Sequence, residues 1–425
     1  MGKRVVISGM GIIAPNANGI QDFIFALKEA KSGIEHLQEL NDFNFVCKLG
    51  GVPRIENSKL YHYIEKYQLS EADLSIKYAI LAGIEAWIDT GFEVPEFDNQ
   101  QTHDDFGAII GTCFTGYEVF MRKIQPKVQS KSIRRLGSQL VEQWMMSGCA
   151  ANLSNILALS NINATNSSAC STGTEAIVYA YERIKQGKAK LILAGGSDPY
   201  SPYCWAGFDS MRLLCRNQYE NPTQASRPMS ASASGFVPSA GAGILVVEEL
   251  EHAIKRNATI YAEIVGGEVN AGGQRNGGTM TYPNPIRVID CIQSTLNQAN
   301  IKGEDIDLIS GHLTGTKADK LEIINWIEAL SLKNKFPYIN APKSLFGHLI
   351  GAAGAVETIA SALQINDGFI HPNINCEDLH PDVEKIYPRE KISMHLIENK
   401  DINYVAKASF GFGDVNSCLI LKKYV

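Results

Sequence analysis

The sequence predicts an α/β fold whose strands are covered by helices on both faces. Three observations carry this: short apolar runs alternate with stretches of helical periodicity, no Pro/Gly/Ser-rich linker interrupts the alternation, and the composition is that of an ordinary globular chain. Of 425 residues, 45% are hydrophobic and 20% charged, which excludes a disordered or low-complexity protein. The length leaves room for two or three units.

In chain order, Arg4–Ser8, Phe106–Gly111, Leu191–Ala194, Gly243–Val247, Ile260–Val265, Leu308–Ser310, Tyr338–Asn340 and Cys418–Leu421 read as strands, each a short apolar run bounded by turn residues. Between them Glu71–Thr90, Gly173–Lys185, Ile286–Ala299, Lys317–Ala329 and Gly354–Asn366 show the spacing of amphipathic helices. The charged stretch Glu248–Arg256 reads as a hinge between two halves. Each half has a small-residue turn feeding a helix, Ser168–Gly173 in one and Phe346–Gly351 in the other, which hints at duplication.

Charge and cysteine usage exclude several classes of function. With 39 Lys+Arg against 45 Asp+Glu the net charge is −6, so no basic field invites nucleic acid or an anionic membrane. Nine scattered cysteines without a Cys-x-x-Cys pair oppose a disulfide framework and a thiolate zinc site, and fit a reducing, cytoplasmic setting. The first residues, Met1 to Val6, form neither a signal peptide nor a myristoylation site. The thirty-two residues between Glu142 and Glu175 are uncharged, yet asparagines and serines punctuate them too densely for a membrane span; they read as a buried segment or a subunit interface.

Val5–Ala14 contains a strand followed by Gly-x-Gly-x-x-Ala, the outline of a dinucleotide-binding turn, but Pro15 and Asn16 break the helix that should receive a pyrophosphate. The glycines therefore read as a tight turn after the strand. In Asn166–Ala176, Cys170 stands just before a helix, whose free N–H groups and positive end favour thiolate over thiol. A small buried thiol is the alternative, and it is the reading for the other eight cysteines. His312 and His348 sit in small-residue turns of the kind that point side chains into α/β clefts, although a lone histidine is more often a satisfied structural residue. Lys343, Thr314 and Thr316 read equally as a solvated lysine and helix-capping turn residues. The glycine-aromatic turn Ser409–Asn416 lets backbone N–H groups approach a reacting atom.

Together these segments resemble the β-ketoacyl-[acyl-carrier-protein] synthases of the I/II type, elongating condensing enzymes of the thiolase superfamily. The similarity runs almost end to end, through Val5–Pro15, Ala194–Gly196, Gln224–Pro228, Gly241–Gly243, the His312 segment, Lys343–Glu357 and the glycine-aromatic turn. The resemblance implies a thiolase-like five-layered α-β-α-β-α fold from two duplicated halves, residues 1–254 with the nucleophile and 255–425 with two catalytic histidines. It implies decarboxylative condensation of an acyl-enzyme with malonyl-carrier protein in fatty-acid or specialised polyene or polyketide synthesis. By the same resemblance Cys170 carries the acyl group, and its backbone N–H and that of Phe412 form an oxyanion hole. His312 and His348 donate Nε2–H to an enolate, Lys343 supports them, Thr314 and Thr316 bind pantetheine, Phe114 lines the acyl pocket and Arg212 docks the carrier.

No metal or redox cofactor is implied, since substrates ride on the phosphopantetheine of acyl carrier protein. A homodimer is implied, with a heterodimer of related subunits as the variant. Thiolases fit less well because Cys418 lies in an apolar strand pattern, and synthase III relatives place Asn where His348 stands. A non-catalytic, chain-length-factor-like partner subunit is the alternative function, against which the complete Cys-His-His set argues. The departures are Leu313 for a glycine, one residue fewer between His312 and Asp319, Ser230–Ser234 without the usual charges, Asp414-Val415 for Gly-Thr, and Leu69–Glu71 where basic residues are usual, although Arg134 and Arg135 add charge.

Overall fold

The structure, a computed structural model, describes residues 2–96 and 98–425. Ten strands form one hydrogen-bonded ladder. The first five are β1 Val5–Ile13, β2 Phe106–Gly111, β3 Asn163–Ala164, β4 Leu191–Asp198 and β5 Gly241–Glu249. The second five are β6 Ala262–Ala271, β7 Leu308–Ser310, β8 Tyr338–Asn340, β9 Tyr404–Gly411 and β10 Val415–Lys422. Their order is β3-β2-β4-β5-β1 in one half and β8-β7-β9-β10-β6 in the other. The sense of every pairing repeats as well: the first three strands of each order run parallel, and the remaining pairs antiparallel. The duplication hinted at by the two small-residue turns is thus repeated strand for strand.

The halves join where Val5–Ile7 of β1 pair with Ala262–Ile264 of β6. Between them lie helices α3 (Thr172–Lys185) and α6 (Ala353–Asp367), each packed on strands of both halves. Burial on all sides explains why α6 is buried from Ala353 to Ile365, its polar residues Glu357, Thr358, Ser361 and Gln364 included. Helices α1 (Leu74–Asp89) and α2 (Gly148–Ile156) cover the outer face of the first half; α4 (Pro285–Ala299), backed by α5 (Asp319–Ala329), covers the second. This is the five-layered arrangement, with one apolar core in the middle and one under each outer layer. Helix starts follow local chemistry: Asp73 caps α1 by accepting from Ser75 N at 3.0 Å, and Asn284 caps α4 ahead of Pro285.

Several expectations need correction. Gly9 and Gly11 form no turn; β1 continues to Ile13 with a bulge between Ile7 and Gly9. A Cβ on Gly11 would lie 1.9 Å from the Ala82 carbonyl oxygen, so the glycine lets α1 rest directly on the strand. Glu248–Arg256 lies at the junction of the halves, where β5 runs to Glu249, a short helix spans Leu250–Lys255 and β6 follows; the buried Glu248 takes hydrogen bonds from Ser8, His252 and Arg256. The uncharged segment contains α2, whose core face is buried, and β3, an edge strand of the ladder. β9 goes unread in the sequence because Ala406-Lys407-Ala408-Ser409 lacks β-branched residues. Among the described residues no helix is long and apolar enough to cross a membrane.

Candidate active site

Cys170 lies in the turn from β3 to α3, directly after Ala169, whose φ of 48° is left-handed. Thr172 stabilises this conformation: its Oγ1 accepts from Ser168 N and donates to the Ala169 carbonyl, each at 2.7 Å. Ser171 Oγ donates to the carbonyls of Ser409 (3.0 Å) and Val415 (3.2 Å), fastening the turn to the β9–β10 hairpin. A Cβ on Gly411 would stand 2.6 Å from Ser168 O and 3.1 Å from Cys170 N, so only glycine lets that hairpin reach the cysteine amide.

His348 arrives from the other half, at the end of the short helix Lys343–Phe346 and after Gly347 (φ 72°). Its Nδ1 accepts the Ile350 N–H at 3.0 Å, and Nε2 lies 3.1 Å from Cys170 Sγ. The proton of the neutral ring therefore sits on Nε2. Ile350 makes this bond from φ 51°, an unusual angle for a β-branched residue. His312 follows β7; its backbone N–H and that of Leu313 donate to the two carboxylate oxygens of Glu322 at 2.6 and 2.7 Å. The turn rebuilt around the buried Leu313 is thus held by α5. The ammonium of Lys343 faces His312 Nδ1 at 3.4 Å and donates to the His312 carbonyl at 2.6 Å, which places the His312 proton on Nε2 too. The histidine rings are 5.4 Å apart at 82°, and the ligating atoms of Cys170, His312 and His348 all lie within 4.8 Å of one another.

Electrostatics follow from burial. Desolvation and the Lys343 cation hold both histidines well below 6.5, hence neutral. Burial also pushes the Cys170 thiol up to about 12, against the pull of Lys343. This opposes the thiolate expected from the helix start, because desolvation of the half-buried sulfur disfavours its charged form. Behind His312, Glu357 pairs with Lys343 and, at 2.9 Å, with Lys407, all three fully buried. A Cys-His-His set could suit a divalent ion, but ligation through either Nε2 would require displacing a proton that the Nδ1 partners fix there.

A cavity of about 540 Å³ opens onto Cys170, lined by His312, His348, Thr314, Thr316 and Phe412, with Arg212 among its cations. Thr314 and Thr316 share a 2.9 Å hydrogen bond through their hydroxyls, and Asp319 catches the amides of Thr314 and Gly315. Lys343 stands behind His312, outside the cavity lining. Phe114 does not line this cavity either: Phe208 does, and Phe114 packs behind it, ring centroids 5.8 Å apart. Arg134 and Arg135 lie in a separate surface segment. Sequence reasoning missed Glu322, Lys407, Asp198, Arg216 and Lys317; Arg216 and Lys317 join Arg212 in the lining. Asp198, its pKa raised to about 6 by burial, accepts from the amides of Cys113, Phe114 and Gly351 and so ties the Phe114 turn to the His348 turn. Glu322, three residues after Asp319 on one helix face, was the one with a readable signal.

The family model described as beta-ketoacyl synthase, N-terminal domain, matches residues 2–253, and that for the C-terminal domain residues 261–377. Similar proteins include 3-oxoacyl-[acyl-carrier-protein] synthase 2 of Vibrio harveyi, 33% identical over 430 residues and 99% of both chains. Synthase 1 of Escherichia coli K12 is 31% identical over 427 residues, again 99% of both. Among solved structures, a beta-ketoacyl synthase from Burkholderia phymatum superposes with a TM-score of 0.89 at 28% identity over the full length of both chains. A type II polyketide ketosynthase in complex with its acyl-carrier protein superposes at 0.87 and 26% over the same coverage.

Proposed function

The chain belongs to the beta-ketoacyl synthase family, its activity is that of a 3-oxoacyl-[acyl-carrier-protein] synthase, and we propose from that premise how its own residues carry out the condensation. Cys170 Sγ attacks the carbonyl of an acyl-carrier thioester. An S–C bond forms while the pantetheine sulfur leaves and takes up the thiol proton; the carbonyl oxygen rests on the N–H groups of Cys170 and Phe412. His348 Nε2–H, 3.1 Å from Sγ, steadies the charge that develops on sulfur.

Malonyl-carrier then binds and loses CO₂. The released electron pair becomes an enolate whose oxygen accepts Nε2–H bonds from His312 and His348. The enolate carbon attacks the acyl carbon and the C–Sγ bond breaks; Sγ departs as thiolate and regains a proton from solvent, and a 3-oxoacyl-carrier product leaves. The observation that carries this reading is the convergence of two donors, each fixed by an N–H partner on its Nδ1, beside one cysteine. Thr314 and Thr316 contact the pantetheine arm, and Arg212, Arg216 and Lys317 meet its phosphate and the acidic carrier surface. No metal or redox cofactor takes part.

Residues 1–254 form the half that supplies the nucleophile and 255–425 the half that supplies the histidines. The protein works in the cytoplasm, in keeping with its unpaired cysteines, and as a dimer. Support for the dimer comes from the edge strand β3 and, earlier in the chain, from the exposed Phe120, Val128, Ile133 and Val141. The deciding experiment is intact-protein and peptide mass spectrometry after incubation with acyl-carrier protein. Acyl mass on Cys170 alone, absent in Cys170→Ala, is expected; acyl mass on another cysteine, or turnover by Cys170→Ala, refutes the assignment.

A further inference from the structure

Asp414 stands in the turn after Phe412, where the resemblance predicts glycine, and it keeps the left-handed backbone that glycine would favour (φ 62°). Its side chain is buried, and it points away from the cavity toward the loop 272–284 that joins β6 to α4. One carboxylate oxygen accepts the Gln274 N–H and the other the Asn284 N–H, each at 2.8 Å. The Asp414 carbonyl accepts from Gly272 N at 2.7 Å, and Gly413 N donates to the Met280 carbonyl at 2.8 Å. Asn284, which caps α4, also donates its side-chain amide to Gly272 O at 3.0 Å. Gly272 and Gly278 leave just enough room for the carboxylate, since a Cβ on either would meet its oxygens at 2.5 Å or less.

Both segments joined in this way line the cavity: Gly411 and Phe412 on one side, Thr281, Tyr282 and Pro283 on the other. A buried carboxylate that spends both oxygens on backbone N–H groups of a facing loop makes the two segments one rigid unit. Gly411 lies against the Cys170 amide, so the unit also fixes where the Phe412 N–H sits relative to the nucleophile. We propose that Asp414 is a positioning residue for acyl transfer, holding the Phe412 turn against the 272–284 loop so that the oxyanion donors are in place before the thioester arrives. This rests on the reading that Cys170 accepts the acyl group beside the Phe412 amide.

The test uses the full chain with Asp414→Asn and Asp414→Gly. Asparagine keeps the volume but turns an amide NH₂ toward one of the two N–H donors; glycine suits the left-handed backbone and removes the side chain, and carries the test should the asparagine variant not fold. Three rates are compared: single-turnover acyl transfer from an acyl-carrier thioester to Cys170, decarboxylation of malonyl-carrier, and alkylation of Cys170 by iodoacetamide. Acyl transfer is expected to slow about 10- to 100-fold, less than outright loss of an oxyanion donor, because the amide is misplaced and not removed. Decarboxylation, which relies on the histidines, and alkylation, which needs no oxyanion hole, should stay within about threefold. Unchanged acyl transfer, or an equal fall in all three rates, overturns the proposal. Failure of the unmutated protein to acquire an acyl group at Cys170 overturns instead the function on which it rests.

Discussion

Replacing His312 by alanine separates the two chemical steps. His312 approaches the cavity from β7 with its Nδ1 satisfied by Lys343, while only His348 touches the sulfur, at 3.1 Å. Losing His312 removes one of two donors to the enolate but none of the contacts to Sγ or to the Cys170 and Phe412 amides. Removal of a single oxyanion-type donor costs about 3–4 kcal/mol, or ~10²–10³ in rate. Malonyl-carrier decarboxylation by His312→Ala should fall by that factor, whereas acyl capture on Cys170 should stay within about fivefold. His348→Ala should lower both steps, since the ring serves the sulfur as well as the enolate. The assay pairs release of labelled CO₂ from malonyl-carrier with the acyl mass on Cys170 in single turnovers. Decarboxylation at the unmutated rate in His312→Ala, or an equal loss of both steps, would refute the division of labour between the rings.

Four further outcomes follow from the same geometry. Because both histidine pKa values are lowered well below 6.5, acid must go far past that value to protonate Nδ1 and break its contacts; the histidines should add no inflection to the pH profile of decarboxylation between about pH 8 and about pH 6, and an inflection near 6.5 that persists in Glu322→Gln would contradict it. For stability the sign runs the other way: below 6.5 the unfolded chain binds protons at these histidines that the folded one refuses, so they make the melting temperature fall with acid in that range. The unmutated enzyme should prefer short or planar chains, and Phe114→Ala should open space behind Phe208 and extend the accepted acyl length at about 3 kcal/mol of stability; equal elongation of short and long saturated primers by the unmutated enzyme would eliminate this role. Light scattering at micromolar concentration should give a dimer mass, and a monomer would contradict pairing through β3.

The sequence was most readable where a single residue type and its local turn carry the meaning. Cys170, His312 and His348 each sit in a small-residue turn, and helices such as Glu71–Thr90 are off by only a few residues because periodicity survives burial. What stayed hidden depends on partners far along the chain. Lys407 has meaning only once β9 lies beside α6 and its ammonium reaches Glu357. Asp198 becomes a link only when the Cys113 and Gly351 turns converge on it. Gly9 and Gly11 look like a turn locally, and their role, contact with α1, comes from a helix seventy residues on. For Cys170 the helix end is visible in the sequence, whereas the desolvation that pushes the thiol pKa up is not.

The tautomers set by Ile350 N–H and Lys343 bear on how the enzyme handles water. A thioester in water survives unless something removes a proton from the attacking molecule, and imidazole is the usual agent. Among the described residues, the imidazoles lining the cavity at Cys170 are those of His312 and His348; each carries its proton on the nitrogen facing the cavity, and each basic nitrogen is turned away and occupied. The pair can polarise a carbonyl or cradle an enolate, but it cannot turn a stray water into hydroxide. In the proposed mechanism the acyl group is thereby kept for a carbon nucleophile that brings its own electrons by losing CO₂, and which ring nitrogen holds the hydrogen then favours condensation over hydrolysis.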